Sequence, residues 1–223
     1  MLSGVAAQRL SCPDCLVARR GMLSAILGGA AAGPCLLQSY TLEARAVLPR
    51  HWFERYAFAI VRRGVVVRQR VDPSGERVSV DAAGPGSFLP LRLAGGPETS
   101  AGYAASRLIV CIYPYESIDA DVADEKTLRD LFGLQQQALD RLERIAAARG
   151  RHSAVDQVHA LLDALRSTMA PLREGGPRPI DLSQRDMALL LRLRPETVCR
   201  ALRSLEREGV IERSPDGFSL PSR

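Results

Sequence analysis

Residues 181–213, DLSQRDMALLLRLRPETVCRALRSLEREGVIER, hold two helical periods separated by a short break. Ser183 stands where its side-chain oxygen can take a free amide at a helix start, which predicts a helix from Gln184 to Leu191. Arg-Leu-Arg-Pro, residues 192–195, makes the turn. Pro195 opens the second helix, where its missing N–H leaves no backbone bond unmade. Along that helix Val198, Leu202 and Leu205 recur on one side. Glu196, Arg200, Arg203 and Arg207 recur on the other. Gly209 stops it, and VIERSPDGFSL, residues 210–220, reads as two short strands around a Pro-Asp-Gly turn. The order is helix, tight turn, helix, β-wing.

A carboxylate and several guanidiniums on one exposed helical face suit the major groove of a duplex. There an Arg donates two hydrogen bonds to guanine, and a Glu accepts from the amino group of cytosine. Glu196 and Arg200 are four residues apart and share a face, so together they can read a G·C-containing step on both strands. The alternative for the same two residues is a solvated ion pair worth a few tenths of a kcal/mol. Arg203, Arg207 and Arg192 suit phosphates, which position a protein without specifying sequence.

The segments LSQRDMA and ETVCRALRSLEREGVIER resemble the winged helix-turn-helix of the Crp/Fnr family of bacterial transcription regulators. That family shows Leu-Ser-x-x-Asp-x-Ala in the first helix and Glu-Thr-Val-x-Arg-x-Leu along the second. The resemblance extends back to about residue 50, through YAFAIVRRGVVVRQRVDPSGERVSVDAAGPGSFL, which looks like the family's β-roll. It implies an α+β chain in four parts. These are a cysteine-bearing N-terminal segment (1–50), a β-roll sensor domain (51–120), a dimerisation helix (121–150) and a winged helix-turn-helix DNA-binding domain (151–223). It implies DNA contacts from Glu196, Thr197, Cys199, Arg200, Arg203 and Arg192, with Glu196 and Arg200 reading half-sites that contain TGA. Cys199 stands where relatives have Ser or Gly, which opens the base preference there. The partners implied are palindromic double-stranded DNA, a second copy of the chain and RNA polymerase, in the cytoplasm and away from membranes.

The β-roll reading has its own support. Period-two runs are cut at Arg63-Gly64, at Asp72-Pro-Ser-Gly75 and at Gly84-Pro-Gly86, spacings that suit a small antiparallel barrel or sandwich. From Asp124 to Arg149 the period turns helical. Leu128, Leu131, Gln135, Ala138, Leu142 and Ile145 step by 3, 4, 3, 4, 3, the rhythm of a coiled-coil seam with one polar register residue. An amphipathic helix lying on the chain's own barrel is the other explanation. Ser153 can cap the next helix, which turns Val155, Val158, Leu161, Leu162, Leu165 and Met169 inward.

The chain has 223 residues, 46% hydrophobic and 25% charged, with a net charge of +5. That is a globular composition, and it permits a polyanionic partner. Lys126 is its one lysine, and Arg favours planar, bidentate contacts more than Lys does. His51, His152 and His159 show no catalytic or metal-binding spacing, and no nucleotide-binding glycine pattern occurs, so an enzyme is not expected. ARRGMLSAILGGAAAGPC superficially resembles a secretion signal, but its apolar run is too short to span a bilayer. A buried helix over Met22 to Ala30 is expected instead.

What the roll senses turns on its ligands. Relatives that bind a cyclic nucleotide hold its phosphate with Gly-Glu and then Arg-Ser or Arg-Thr. Pro90-Leu91 and Thr99-Ser100 stand there instead, so the phosphate loses its charge-assisted partner. Five cysteines (Cys12, Cys15, Cys35, Cys111 and Cys199) are too few and too scattered for a disulfide scaffold. Cys12-Pro-Asp-Cys15 and Cys111 in LIVCIYP resemble the oxygen-sensing branch of the family, with Tyr113 as one extra residue before the proline. That branch holds a [4Fe-4S] cluster on an N-terminal cysteine group plus the strand cysteine. Cys12, Cys15 and Cys111 match. Cys35, 20 residues beyond Cys15, is the candidate fourth ligand, displaced from where relatives carry it. The thiols themselves also allow a zinc site, a thiol–disulfide pair, or a buried Cys111 that packs as a small hydrophobe.

Overall fold

A computed structural model describes residues 6–8, 38–91, 99–115, 125–169 and 178–221. The strands are β1 (Ala6–Gln8), β2 (Gln38–Leu42), β3 (Tyr56–Arg63), β4 (Val66–Val71), β5 (Arg77–Ala83), β6 (Phe88–Pro90), β7 (Ser100–Ala104), β8 (Leu108–Pro114), β9 (Glu212–Ser214) and β10 (Gly217–Ser219). The helices are α1 (Arg50–Arg55), α2 (Glu125–Arg149), α3 (Ala154–Thr168), α4 (Gln184–Leu191) and α5 (Pro195–Arg207).

Alternation builds the roll. A sheet ordered β1-β2-β8-β3-β6 faces another ordered β5-β4-β7. Between them lie Leu42, Ala59, Val61, Val66, Ala83, Ala104, Leu108, Val110 and Ile112. Successive side chains in a strand point to opposite faces, so Phe58, Ile60, Cys111 and Tyr113 lie on the outer side of the first sheet, and there too they are buried. The turn at Gly64 needs glycine, because φ is +76° and a Cβ would stand 2.2 Å from the Arg107 carbonyl oxygen. A division at residue 50 does not match the sheet: β1 and β2 lie before it, yet β2 pairs along its length with β8. The expected helix over Met22 to Ala30 lies outside the described residues.

A second core joins the C-terminal helices to the back of the roll. Ile145 and Ala148 of α2, Val158, Leu161 and Leu165 of α3, Met187 and Leu190 of α4, and Val198 and Leu202 of α5 meet Val65, Val67 and Ala82. The last turns of α2 therefore belong to the core of the C-terminal helices, not to a linker before them. Ser153 and Ser183 cap α3 and α4 as expected, each accepting from the backbone amide three residues on.

One carboxylate ties the two halves together. Asp186, fully buried in the first turn of α4, accepts from Arg45 Nη1 at 2.7 Å and from the Tyr103 hydroxyl at 2.7 Å. Arg45 Nη2 also donates to Ser183 Oγ at 3.0 Å. Burial, with the Asp186 carboxylate beside it, pushes the Tyr103 phenol well above its ordinary pKa, so it stays a donor. Tyr103→Phe removes a hydrogen bond to a buried charge and is expected to cost about 1.5–3 kcal/mol. Asp186→Ala is expected to cost more, and urea unfolding midpoints compare the two.

Candidate nucleic-acid interface

The turn before α5 sets its pose. Arg192 closes α4 in the left-handed conformation, φ 58° and ψ 38°, with its N–H on the Ala188 carbonyl. Pro195 occupies the first turn of α5. Val198, Ala201, Leu202 and Leu205 then bury one side of α5 against α3 and α4. The opposite side presents Glu196, Arg200, Arg203 and Arg207, all exposed, with Thr197 and Cys199 half-buried at its margin. The i,i+4 ion pairs among the described residues are Arg50–Glu54, Glu125–Arg129 and Asp140–Arg144. Glu196 and Arg200 do not pair, which leaves both heads available to a partner. Arg192 is exposed at the turn beside them.

The wing is fastened to the same unit. Phe218 exchanges backbone hydrogen bonds with Ile180 at 2.8 and 3.2 Å. Gly217, at φ +125°, lets the two backbones approach, since a Cβ there would lie 2.3 Å from the Ile180 oxygen. Arg185 and Arg194, on α4 and at the turn, add exposed positive charge that a search for the motif alone passes over. Their signal was the arginine composition of the segment.

Helix α2 carries two stripes, where one seam was expected. Leu134, Ala138, Arg141, Ile145 and Ala148 turn inward and are buried. Ala138 and Ile145 are thus corrected: they pack against the chain's own body and are unavailable to a second copy. A neighbouring stripe runs through Leu128, Phe132, Gln135, Leu139 and Leu142, of which Phe132 is 68% and Leu139 48% exposed. Leu131 and Leu142 are intermediate. Both stripes step by 3 and 4, so spacing alone cannot tell them apart.

Of the sensor cysteines, Cys12, Cys15 and Cys35 lie outside the described residues. Cys111 is buried on the outer face of β8, with Ile60 and Ser39 paired beside it on the flanking strands. The Ser39 hydroxyl is buried there without a hydrogen-bond partner. β1 pairs Gln8 with that same Ser39. Among the described residues no group of three or more His, Cys, Asp or Glu is placed to hold a metal ion. Among them also, no helix is long and apolar enough to cross a membrane. At the cyclic-nucleotide positions Leu91 is fully buried in the apolar core.

Residues 158–223 match the Crp-like helix-turn-helix domain. The chain is 31% identical to the nitrogen fixation regulation protein FixK of Bradyrhizobium diazoefficiens over 166 residues, 74% of this chain and 70% of that protein. Its fold is similar to FixK2 from Bradyrhizobium japonicum, with a TM-score of 0.64 at 21% identity, covering 84% of this chain and 93% of that one. It is similar also to the c-di-GMP-responsive regulator CLP of Xanthomonas campestris, with a TM-score of 0.55 at 15% identity, covering 92% and 100%. The two-stripe assignment of α2 has a direct check. Ile145→Ala is expected to cost about 2–5 kcal/mol of stability by leaving a cavity. Gln136→Ala, exposed and on neither stripe, should move it by less than about 0.5 kcal/mol, both read from urea unfolding.

Proposed function

Because the chain belongs to the Crp/Fnr family of transcription regulators, which are not enzymes, we propose that it acts as a twofold dimer laying α5 into the major groove at each half of a palindromic operator. The observation that carries this reading is the unpaired, exposed Glu196 and Arg200 on a helix whose other side is locked into the core. Arg200 donates to guanine and Glu196 accepts from cytosine in a TGA-containing half-site, while Arg192, Arg203 and Arg207 hold phosphates. A twofold pair spaces the two recognition helices about 34 Å apart. The stripe of exposed Leu128, Phe132, Gln135 and Leu139 with half-buried Leu142 forms the contact between copies, a surface too apolar to leave in water along one helix. The bound dimer acts on RNA polymerase, in the cytoplasm.

The sensor we propose is an iron–sulfur cluster held by Cys12, Cys15, Cys35 and Cys111. β1 ends at Gln8 and β2 begins at Gln38, and Gln8, Ser39 and Cys111 stand in one row of paired strands. Strands lie about 4.8 Å apart. Cys12 is four residues past Gln8 and Cys35 three before Gln38, so chain length of about 3.3 Å per residue allows both thiols to reach Cys111. The orphaned Ser39 hydroxyl on the same face would donate to a thiolate or sulfide there. A [4Fe-4S] cluster supplies a group that oxidants dismantle. Cys111 lies on β8, 14 residues in sequence before α2 begins at Glu125, so a change at its thiol is close along the chain to the stripe that pairs the copies.

Fluorescence anisotropy with a TGA-containing palindrome tests the first reading. Arg200→Ala should lose about 1–3 kcal/mol and relax base preference, while Arg203→Ala should weaken all sequences alike and lower the salt slope by about one. Leu139→Glu should yield a folded monomer by sedimentation. A wild-type protein that is monomeric and indifferent to sequence would end that reading. For the sensor, anaerobically purified protein should carry about four irons and four sulfides per chain, and Cys111→Ala none. Iron-free wild-type protein ends the cluster and leaves the DNA reading standing.

A further inference from the structure

Two large hydrophobics left in water lie together where the roll meets α4. Val47 is 59% exposed and Leu189 48%, and both line one groove of about 340 Å³. Backbone pairing puts Val47 there. Residues 45–48 run beside β7, with the Arg45 amide donating to the Ala104 carbonyl at 2.7 Å and the Leu48 amide to the Gly102 carbonyl at 2.9 Å. Leu48 turns into the core of the roll, so Val47 turns outward, on the side of its bridge partner Tyr103. On α4, Met187, Leu190 and Leu191 are buried, and Arg185 and Leu189, one turn apart, are exposed. Arg45, Arg77 and Arg185 line the same groove.

Singly, exposed hydrophobics are ordinary. Two of them in one groove among three guanidiniums make a surface with a definite complement. Arg45 is already matched, because its Nη1 holds the Asp186 carboxylate at 2.7 Å. Arg77 and Arg185 are exposed and make no ion pair among the described residues. Among those residues no carboxylate lines the groove. A nucleic-acid backbone would meet the arginines and leave Val47 and Leu189 bare. An acidic peptide that carries an apolar side chain meets both. We propose that this groove docks an acidic segment of a partner protein, with its carboxylates on Arg77 and Arg185 and its apolar side chain over Val47 and Leu189. The groove shares no residue with the exposed stripe of α2 or with α5, so docking needs neither a second copy nor DNA. The seated segment touches the roll through Val47 and Arg77 and touches α4 through Arg185 and Leu189. It therefore holds α4 in the pose that Asp186 sets.

Selection from a random peptide library displayed on phage, with the full wild-type chain as bait and no DNA present, tests this. The selected peptides should be rich in Asp and Glu around a Leu, Ile or Phe, and sodium chloride should weaken their binding. By fluorescence anisotropy, Arg77→Glu and Leu189→Ser should each weaken those peptides about tenfold. Val47→Ser is a third variant that keeps the test decisive should either of the others not fold. Operator affinity of Arg77→Glu and Val47→Ser should match the wild type. No enrichment, selected peptides without acidic character, or acidic ones that bind the variants as well as the wild type, overturn the site. So does a loss of operator affinity with a smaller salt slope in Arg77→Glu, which would give the arginines to DNA phosphates instead. The selection uses no DNA, so its failure and that of the operator reading are told apart.

Discussion

Everything about the DNA face depends on where α4 begins, and that is fixed by one buried carboxylate. Asp186 accepts from Arg45 and Tyr103, and it accepts from Ser183 Oγ at 2.6 Å within its own helix start. The same residue donates its own amide to the capping Ser183 Oγ, and its carboxylate holds α4 to the roll. Arg149, in the last turn of α2, does the complementary work at the other end. Its Nε donates to the Leu190 carbonyl and its Nη2 to the Ser79 carbonyl, at 2.7 and 2.9 Å. With both ends of α4 tied to the roll, the pose of α5 follows that of the roll.

Helix α2 meets a different constraint, since one cylinder carries two apolar stripes. Its inward stripe docks on the chain's own sheets and C-terminal helices, and the stripe beside it remains exposed. The two lie roughly 100° apart, because adjacent residues on a helix are that far apart in angle. Any tilt of α2 on the roll therefore rotates the exposed stripe as well. A shift of the sheets against α2 re-aims that stripe in the same way.

Much of the C-terminal unit was legible in the chain. Ser183, Pro195 and Gly209 mark helix ends by local chemistry, and Val198, Leu202 and Leu205 mark the packed side by spacing. The roll was legible as alternating strands, because its turns carry glycine. What escaped were facts of distance. Arg45 and Tyr103 meet Asp186 across 141 and 83 residues, and no local pattern announces that. The choice between stripes on α2 escaped for another reason. Small Ala138 and branched Ile145 suit either a partner or the chain's own core, and the deciding neighbour, Asp81 under Arg141, is 60 residues away. β2 was missed because QSYTL shows little alternation, and its strand character comes from pairing with β8.

The backbone bonds between Ile180 and Phe218 have a consequence for how the molecule comes apart. They close residues 180–218 into a ring around α4 and α5, with the wing as its clasp. A ring of this kind cannot fray from its C-terminal end one turn at a time. Either the clasp releases and both helices lose their shared floor, or all stay shut, so thermal motion opens this part of the chain as one cooperative piece.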